Sequence, residues 1–211
     1  GHLLQYHPVF LAVRGLVETG ALGSLNCVYS NRLSFGKVRS EEDVIWSFAP
    51  HDISMILSLT GHEPEVVRTV SSRILQPDIA DTAIVHMEFK SALKAHVAVS
   101  WLHPYKEQKL VVVGLKAMAV FDDTRPWGEK LALYRHVVQA TDGLPSLEKA
   151  EVEFLKVQQS EPLRNECQHF LDVVSRNVEP LTNGDEGLKV LKVLSAASLS
   201  ESKNEAVRLS G

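Results

Sequence analysis

"ALKAHVAVSWL", residues Ala92–Leu102, decides how this chain folds. Leu93, Ala95, Val97, Val99 and Trp101 fall on one side of an extended segment, with Lys94, His96 and Ser100 on the other. That period of two belongs to a strand, with one face in a core and the other less apolar. Segments of the same kind flank it: "EVVRTVSSRIL" (65–75), "DTAIVHMEFK" (81–90), "EQKLVVVGLK" (107–116), "AMAVFDD" (117–123) and "KLALYRHVV" (130–138), most joined by short connections. "AEVEFLKVQ" (150–158) adds a further strand. Such a meander predicts a large, mostly antiparallel sheet.

Helical periods lie at the two ends. "HPVFLAVRGLVETGALG" (7–23) places Phe10, Val13, Leu16 and Val17 at helical spacing after Pro8, with Gly20 and Gly23 to end it. A strand, "SLNCVYSNRLSF" (24–35), and a charged loop, "GKVRSEEDV" (36–44), follow. Pro50 suits a helix first turn, so a helix is expected from there through Ile53, Ile56 and Leu57 to Gly61, with His51 and Asp52 in that turn. "EPLRNECQHFLDVVSRN" (161–177) carries Leu163, Cys167, Phe170, Leu171 and Val174 at helical intervals, and a last helix from near Asp185 is expected to bury Leu188, Leu191 and Leu194. "SESKNEAVRLSG" has little to bury and is expected to fray. The sum is an α+β domain, a meandering sheet covered by helices on one face.

Composition narrows the functions. With 211 residues, 45% hydrophobic and 23% charged, the chain can build one sizeable core. A net charge of -4 gives no basic footprint, so neither nucleic acid nor an anionic membrane is an expected partner. No apolar run approaches the roughly 20 residues of a membrane helix, and a cytoplasmic location is expected. The 2 cysteines, Cys27 and Cys167, lack paired spacing and read as buried free thiols. The 9 histidines form no HxxxH, HExxH or Cys/His pattern, which argues against a metal site. A glycine-rich phosphate loop following a strand is also missing, so this chain alone is not expected to bind a dinucleotide well.

The blocks "GHLLQYHP", "LGSLNCVYSNRL", "WSFAPHDISMILSLTGHEP", "SWLHPYKEQKLVVVG", "MAVFDD", "PLRNECQHFLDVV" and "EPLTNGDEGLKVLKVL", in that order, resemble the C-terminal domain of the Gfo/Idh/MocA oxidoreductases. Within that family the likeness is greatest to members linked to nucleotide-sugar and surface-polysaccharide biosynthesis. The resemblance implies a substrate-binding and oligomerisation domain over residues 1–200, with 201–211 a polar C-terminal tail. It implies an N-terminal Rossmann domain, absent from this chain, that holds NAD or NADP and carries a catalytic lysine. The expected activity is oxidation or reduction at a secondary alcohol of a sugar or nucleotide sugar, a UDP-N-acetyl-hexosamine or hexosaminuronate among them. The expected assembly is a homodimer or homotetramer through the sheet. An alternative is a non-catalytic sugar-binding or assembly module that uses the sheet face.

In this resemblance His51 matches the histidine that faces the nicotinamide and the reacting carbinol. An imidazole suits that role, because losing hydride from a carbinol requires losing its O–H proton too. A helix first turn would favour the neutral, accepting form. Many members place an aspartate four residues earlier, where this chain has Ser47, which cannot offset an imidazolium as a carboxylate does. Asp52 reads chiefly as a cap of the helix N–H groups. Tyr6 and His7 fall where a member's cleft begins, although a helix entry explains them equally. Arg32 could pair with a carboxylate or a pyrophosphate, and Trp46 could stack on a sugar or sit in the core. Lys106 and Gln108, in "HPYKEQ", could bind substrate oxygens or form a polar hairpin tip. His86 and His96 read as sheet-surface residues.

Overall fold

The computed structural model describes residues 1–141 and 144–209, and for 137–141 and 144–146 the backbone alone. A 3-10 turn, Leu3–Tyr6, leads into α1 (Pro8–Glu18), β1 (Leu25–Phe35), α2 (Val44–Thr60), β2 (Val66–Ser72), β3 (Thr82–Glu88), β4 (Lys94–Ser100), β5 (Leu102–Gly114) and β6 (Met118–Asp122). Then come β7 (Leu131–Tyr134), β8 (Val137–Thr141), β9 (Leu144–Glu148), β10 (Val152–Phe154), α3 (Pro162–Arg176), α4 (Gly184–Lys203) and β11 (Val207–Arg208). Nine strands form one sheet in the order β10-β7-β6-β5-β1-β4-β3-β2-β11, and β8 and β9 form a separate hairpin. Within the large sheet only β1 and β4 run parallel. "KLALYRHVV" is therefore divided between two sheets, a break the alternation did not reveal.

The alternation of β4 is realised as expected. Ala95, Val97 and Val99 are buried beneath the helices, while His96 lies on the open face, stacked on Tyr29 of β1 with ring centroids 5.4 Å apart. Trp101 is fully buried because its indole N–H reaches the Asp81 carboxylate at 2.6 Å, which satisfies its one polar group. Val9, Phe10 and Val13 of α1 and Ile53 and Ile56 of α2 complete the core against this face. The opposite face of the sheet remains open, with Tyr29, Val70 and Ile84 exposed on it. No helix among the described residues is long and apolar enough to cross a membrane.

Three expectations change, and one helix is left with an uncovered face. α4 buries Val190, Val193, Leu194 and Ala197 rather than Leu188 and Leu191, because the stripe that meets α2 and β2 is one residue out of step with the leucine spacing. In α3 the apolar positions Leu163, Phe170, Leu171 and Val174 are 57–70% exposed, an amphipathic helix whose apolar face is left uncovered by the described residues. Cys27 is half-buried and Cys167 exposed, both free. The segment expected to be a tail is tied down: α4 runs on to Lys203, β11 pairs with β2, and Ser200 Oγ accepts from the Thr69 N–H at 2.9 Å and donates to the Glu205 carbonyl. Its last two residues, 210 and 211, lie outside the described part.

Candidate active site

α2 carries the centre of the site, and it starts earlier than its proline suggests. Asp43 caps it, its Oδ1 accepting from the Trp46 N–H at 2.9 Å, and Gly61 ends it at φ 68°. Pro50 lies inside the helix, where it withholds one N–H from the ladder. His51 and Asp52 are therefore mid-helix, and neither the cap assigned to Asp52 nor the terminal dipole invoked for His51 applies. Successive residues on a helix diverge by about 100°, so the two side chains face different surroundings.

Asp52 turns inward and is 1% exposed. It accepts from Ser30 Oγ at 2.6 Å and from Arg32 Nε at 2.5 Å, with Arg32 Nη2 at 3.4 Å. Arg32 thus finds its carboxylate within the chain. With the Gln108 amide oriented so that its oxygen faces Arg32 and its nitrogen faces Asp123, Arg32 Nη1 donates to that oxygen at 3.2 Å and the nitrogen donates to Asp123 Oδ2 at 3.3 Å. Asp123 Oδ1 takes Lys130 Nζ at 2.5 Å and lies 3.5 Å from His7 Nε2. Burial alone would raise the Asp123 pKa, but hydrogen bonds and charge from His7 and Lys130 outweigh it and hold it at about 2. This polar row joins β1, α2, β5 and the end of β6 beneath the cleft.

The cleft encloses about 560 Å³ between the end of β1, α2 and the start of β5. Arg32, Ser47, His51, Lys106 and Gln108 line it together, as does Phe48. Lys37 and Arg39 extend it from the loop after β1, so every charged side chain in its lining is basic. His51 has its Nδ1 buried without a hydrogen-bond partner. Burial lowers its pKa first, Arg32 lowers it further, Asp52 opposes, and nearby His2 adds a smaller lowering. The neutral, proton-accepting form is favoured, though not for the helix-terminus reason.

Tyr6 and Trp46 are not part of this cleft. Tyr6 is buried, its hydroxyl 3.2 Å from Thr182 Oγ1 and its ring tilted against His169. The Trp46 indole N–H donates to Ser198 Oγ of α4 at 2.8 Å, because the extra helical turn before Pro50 points it between helices. His7 caps α1, its Nδ1 accepting from the Val9 N–H at 3.2 Å, between Phe121 and Trp127. Sequence reasoning missed Lys37 and Arg39, whose only signal was the basic content of a charged loop. It also missed the Asp52–Arg32 pair, which brings together residues from two elements.

A family model described as the GFO/IDH/MocA C-terminal domain matches residues 10–120. The chain belongs to the Gfo/Idh/MocA family. This Gfo/Idh/MocA chain is 27% identical over 192 residues to UDP-N-acetylglucosamine 3-dehydrogenase of Acidithiobacillus ferrooxidans, covering 90% of the chain and 58% of that protein. It is 22% identical over 218 residues to inositol 2-dehydrogenase of Rhizobium meliloti, covering 97% and 63%. The fold matches a solved structure of the Acidithiobacillus ferrooxidans enzyme with a TM-score of 0.79 at 24% identity, over 96% of this chain and 62% of that one. It also matches an aldose-aldose oxidoreductase from Caulobacter crescentus with a TM-score of 0.78 at 19% identity, over 99% and 63%. The Gfo/Idh/MocA chain thus spans 58–63% of the length of these curated relatives. Its described residues include no strand, glycine-rich turn and helix unit to cradle a pyrophosphate. Among them His51 lines the cleft while its Nδ1 is buried without a hydrogen-bond partner.

Proposed function

We propose that this chain is the substrate-binding and oligomerisation part of an NAD(P)-dependent oxidoreductase acting on a secondary alcohol of a sugar or nucleotide sugar. The observation that carries the reading is a half-buried imidazole, His51, whose pKa is lowered chiefly by burial, in a cleft whose charged lining is entirely basic. His51 takes the hydroxyl proton as the carbinol carbon loses hydride. The nicotinamide, held by a further domain, supplies the hydride acceptor. Lys37, Arg39 and Lys106 favour an anionic substrate, a nucleotide sugar or uronate, over a neutral polyol. Arg32 is committed to Asp52 and shapes the floor. The relatives' greater length supports a partner Rossmann domain, as does the uncovered apolar face of α3. The open sheet face, with Tyr29, Val70 and Ile84, supports pairing with a second copy.

The test uses the full-length protein, following reduced nicotinamide with UDP-N-acetylglucosamine, UDP-N-acetylglucosaminuronate and inositol as substrates. Turnover of a nucleotide sugar is expected, and His51→Ala is expected to lower kcat by about 10²-fold or more with the fold retained. Near-full activity of that variant sinks the role of His51, and turnover of inositol alone sinks the anionic substrate.

A further inference from the structure

We propose that His51, His2 and Glu186 form a proton path out of the cleft, with His2 receiving the proton from His51 and Glu186 stabilising the imidazolium so formed. This inference rests on the dehydrogenase reading above. Among the described residues four buried side-chain polar atoms lack a hydrogen-bond partner, and three of them, His51 Nδ1, His2 Nδ1 and Glu186 Oε2, belong to this one row. A buried polar atom left unpaired is destabilising, because its lost hydration is not replaced. Three in succession point to a function that needs them free to exchange a proton.

The geometry supports the order. The His2 and His51 rings meet edge to face with centroids 5.9 Å apart, a spacing that one water or a small ring rotation turns into a hydrogen-bonded contact. His2 Nε2 lies 3.7 Å from Glu186 Oε2. Glu186 sits in the first turn of α4, and its other oxygen accepts from Ser54 Oγ at 2.7 Å. Ser54 Oγ in turn accepts from Gln5 Nε2 at 2.9 Å, so its single proton is directed at Glu186, which fixes Glu186 as the accepting carboxylate. Asp52, the sequence neighbour of His51, is taken up by Arg32 and Ser30 and does not orient the ring. Ser47, one turn before His51, cannot offset a positive charge. Glu186 supplies through His2 the carboxylate that this position lacks.

In the oxidation direction the carbinol C–H bond would give its hydride to a bound nicotinamide, and the O–H proton passes to His51, then His2, then solvent. The other charges facing the row are Glu166 of α3 beside His2, and Arg32 and Asp52 beside His51. His2 and Glu186 act through His51 and are positioning residues.

The deciding experiment is ring-nitrogen NMR titration of the histidines in the full-length protein and in its Glu186→Gln variant. His2 is expected to move down by roughly half a unit or more when the carboxylate charge is removed, and His51 to move up in response, because a less protonated His2 repels its proton less. An unmoved His51 in the Glu186→Gln protein overturns the path. His2→Gln is expected to lower kcat roughly 10²-fold with KM little changed, to alter the acidic limb of the pH profile, and to recover in part with imidazole in the buffer. A His2 that only packs would change the melting temperature and leave kcat and the pH profile as they were, and that result also overturns the path. Should His2→Gln fail to fold, the Glu186→Gln titration decides. Failure to turn over any sugar alcohol would refute the dehydrogenase reading, while the NMR titration, which needs no substrate, still judges the coupling.

Discussion

Replacing Asp52 with Asn separates two accounts of that residue by energy. If Asp52 were a cap at a helix start, its loss would cost about 1 kcal/mol. In the structure its side chain is 2% exposed and pairs with an Arg32 side chain 15% exposed, with Ser30 as a third member. Removing one partner of a buried ion pair costs about 3–5 kcal/mol, because the remaining charge stays desolvated. Asparagine keeps the shape and one acceptor, so the expected loss is near the lower end, about 3 kcal/mol. For a urea slope of about 3 kcal/mol per molar, that moves the unfolding midpoint down by roughly 1 M with the slope unchanged. Urea unfolding of Asp52→Asn, Arg32→Met and the double variant measures it. The double variant is expected to be more stable than the summed single losses predict, since both charges leave together. A loss of about 1 kcal/mol or less for Asp52→Asn, with additive behaviour in the double variant, refutes the pair as the anchor of α2.

The pH dependence has a worked sign. His2, His51 and His96 each have a folded pKa below 6.5, principally through burial. The unfolded chain therefore binds more protons below that pH, and the melting temperature should be flat above neutrality and fall as pH drops through 6.5. A second loss is expected as pH falls from 3.8 towards 2, as Asp123 is protonated; a melting temperature that rises on mild acidification contradicts the first, and one that stays level below 3.8 contradicts the second. Tyr6→Phe and Trp46→Phe should each cost about 1 kcal/mol, the loss of one partly buried hydrogen bond, and leave KM for the sugar unchanged. A severalfold rise in KM for either would return that residue to the cleft.

The sheet was legible because burial on one face writes a period of two into the sequence, as Ala95, Val97 and Val99 show in β4. The cleft was legible in part, since Arg32, Ser47, His51, Lys106 and Gln108 do converge. The start of α2 was not, because proline inside a helix looks the same in sequence as proline at its beginning, and the Asp43 cap lay in what read as a loop. Tertiary pairings leave no local trace: His2 and Glu186 meet across nearly the whole chain, and β11 finds β2 from the far end. The apolar stripe of α3 was correctly read as a stripe, yet periodicity says only that a face is apolar, not which chain covers it.

The polar row beneath the cleft divides what this site can change from what it cannot. Arg32, Gln108 and Asp123 are held by partners on neighbouring elements, so altering any one of them disturbs the fold before it alters recognition. Lys37, Arg39 and Lys106 stand at the rim on loop and strand-end positions and share none of those bonds. On the proposed function, new substrate preferences are within reach of single substitutions at the rim, while the floor can be redesigned only by replacing several residues together.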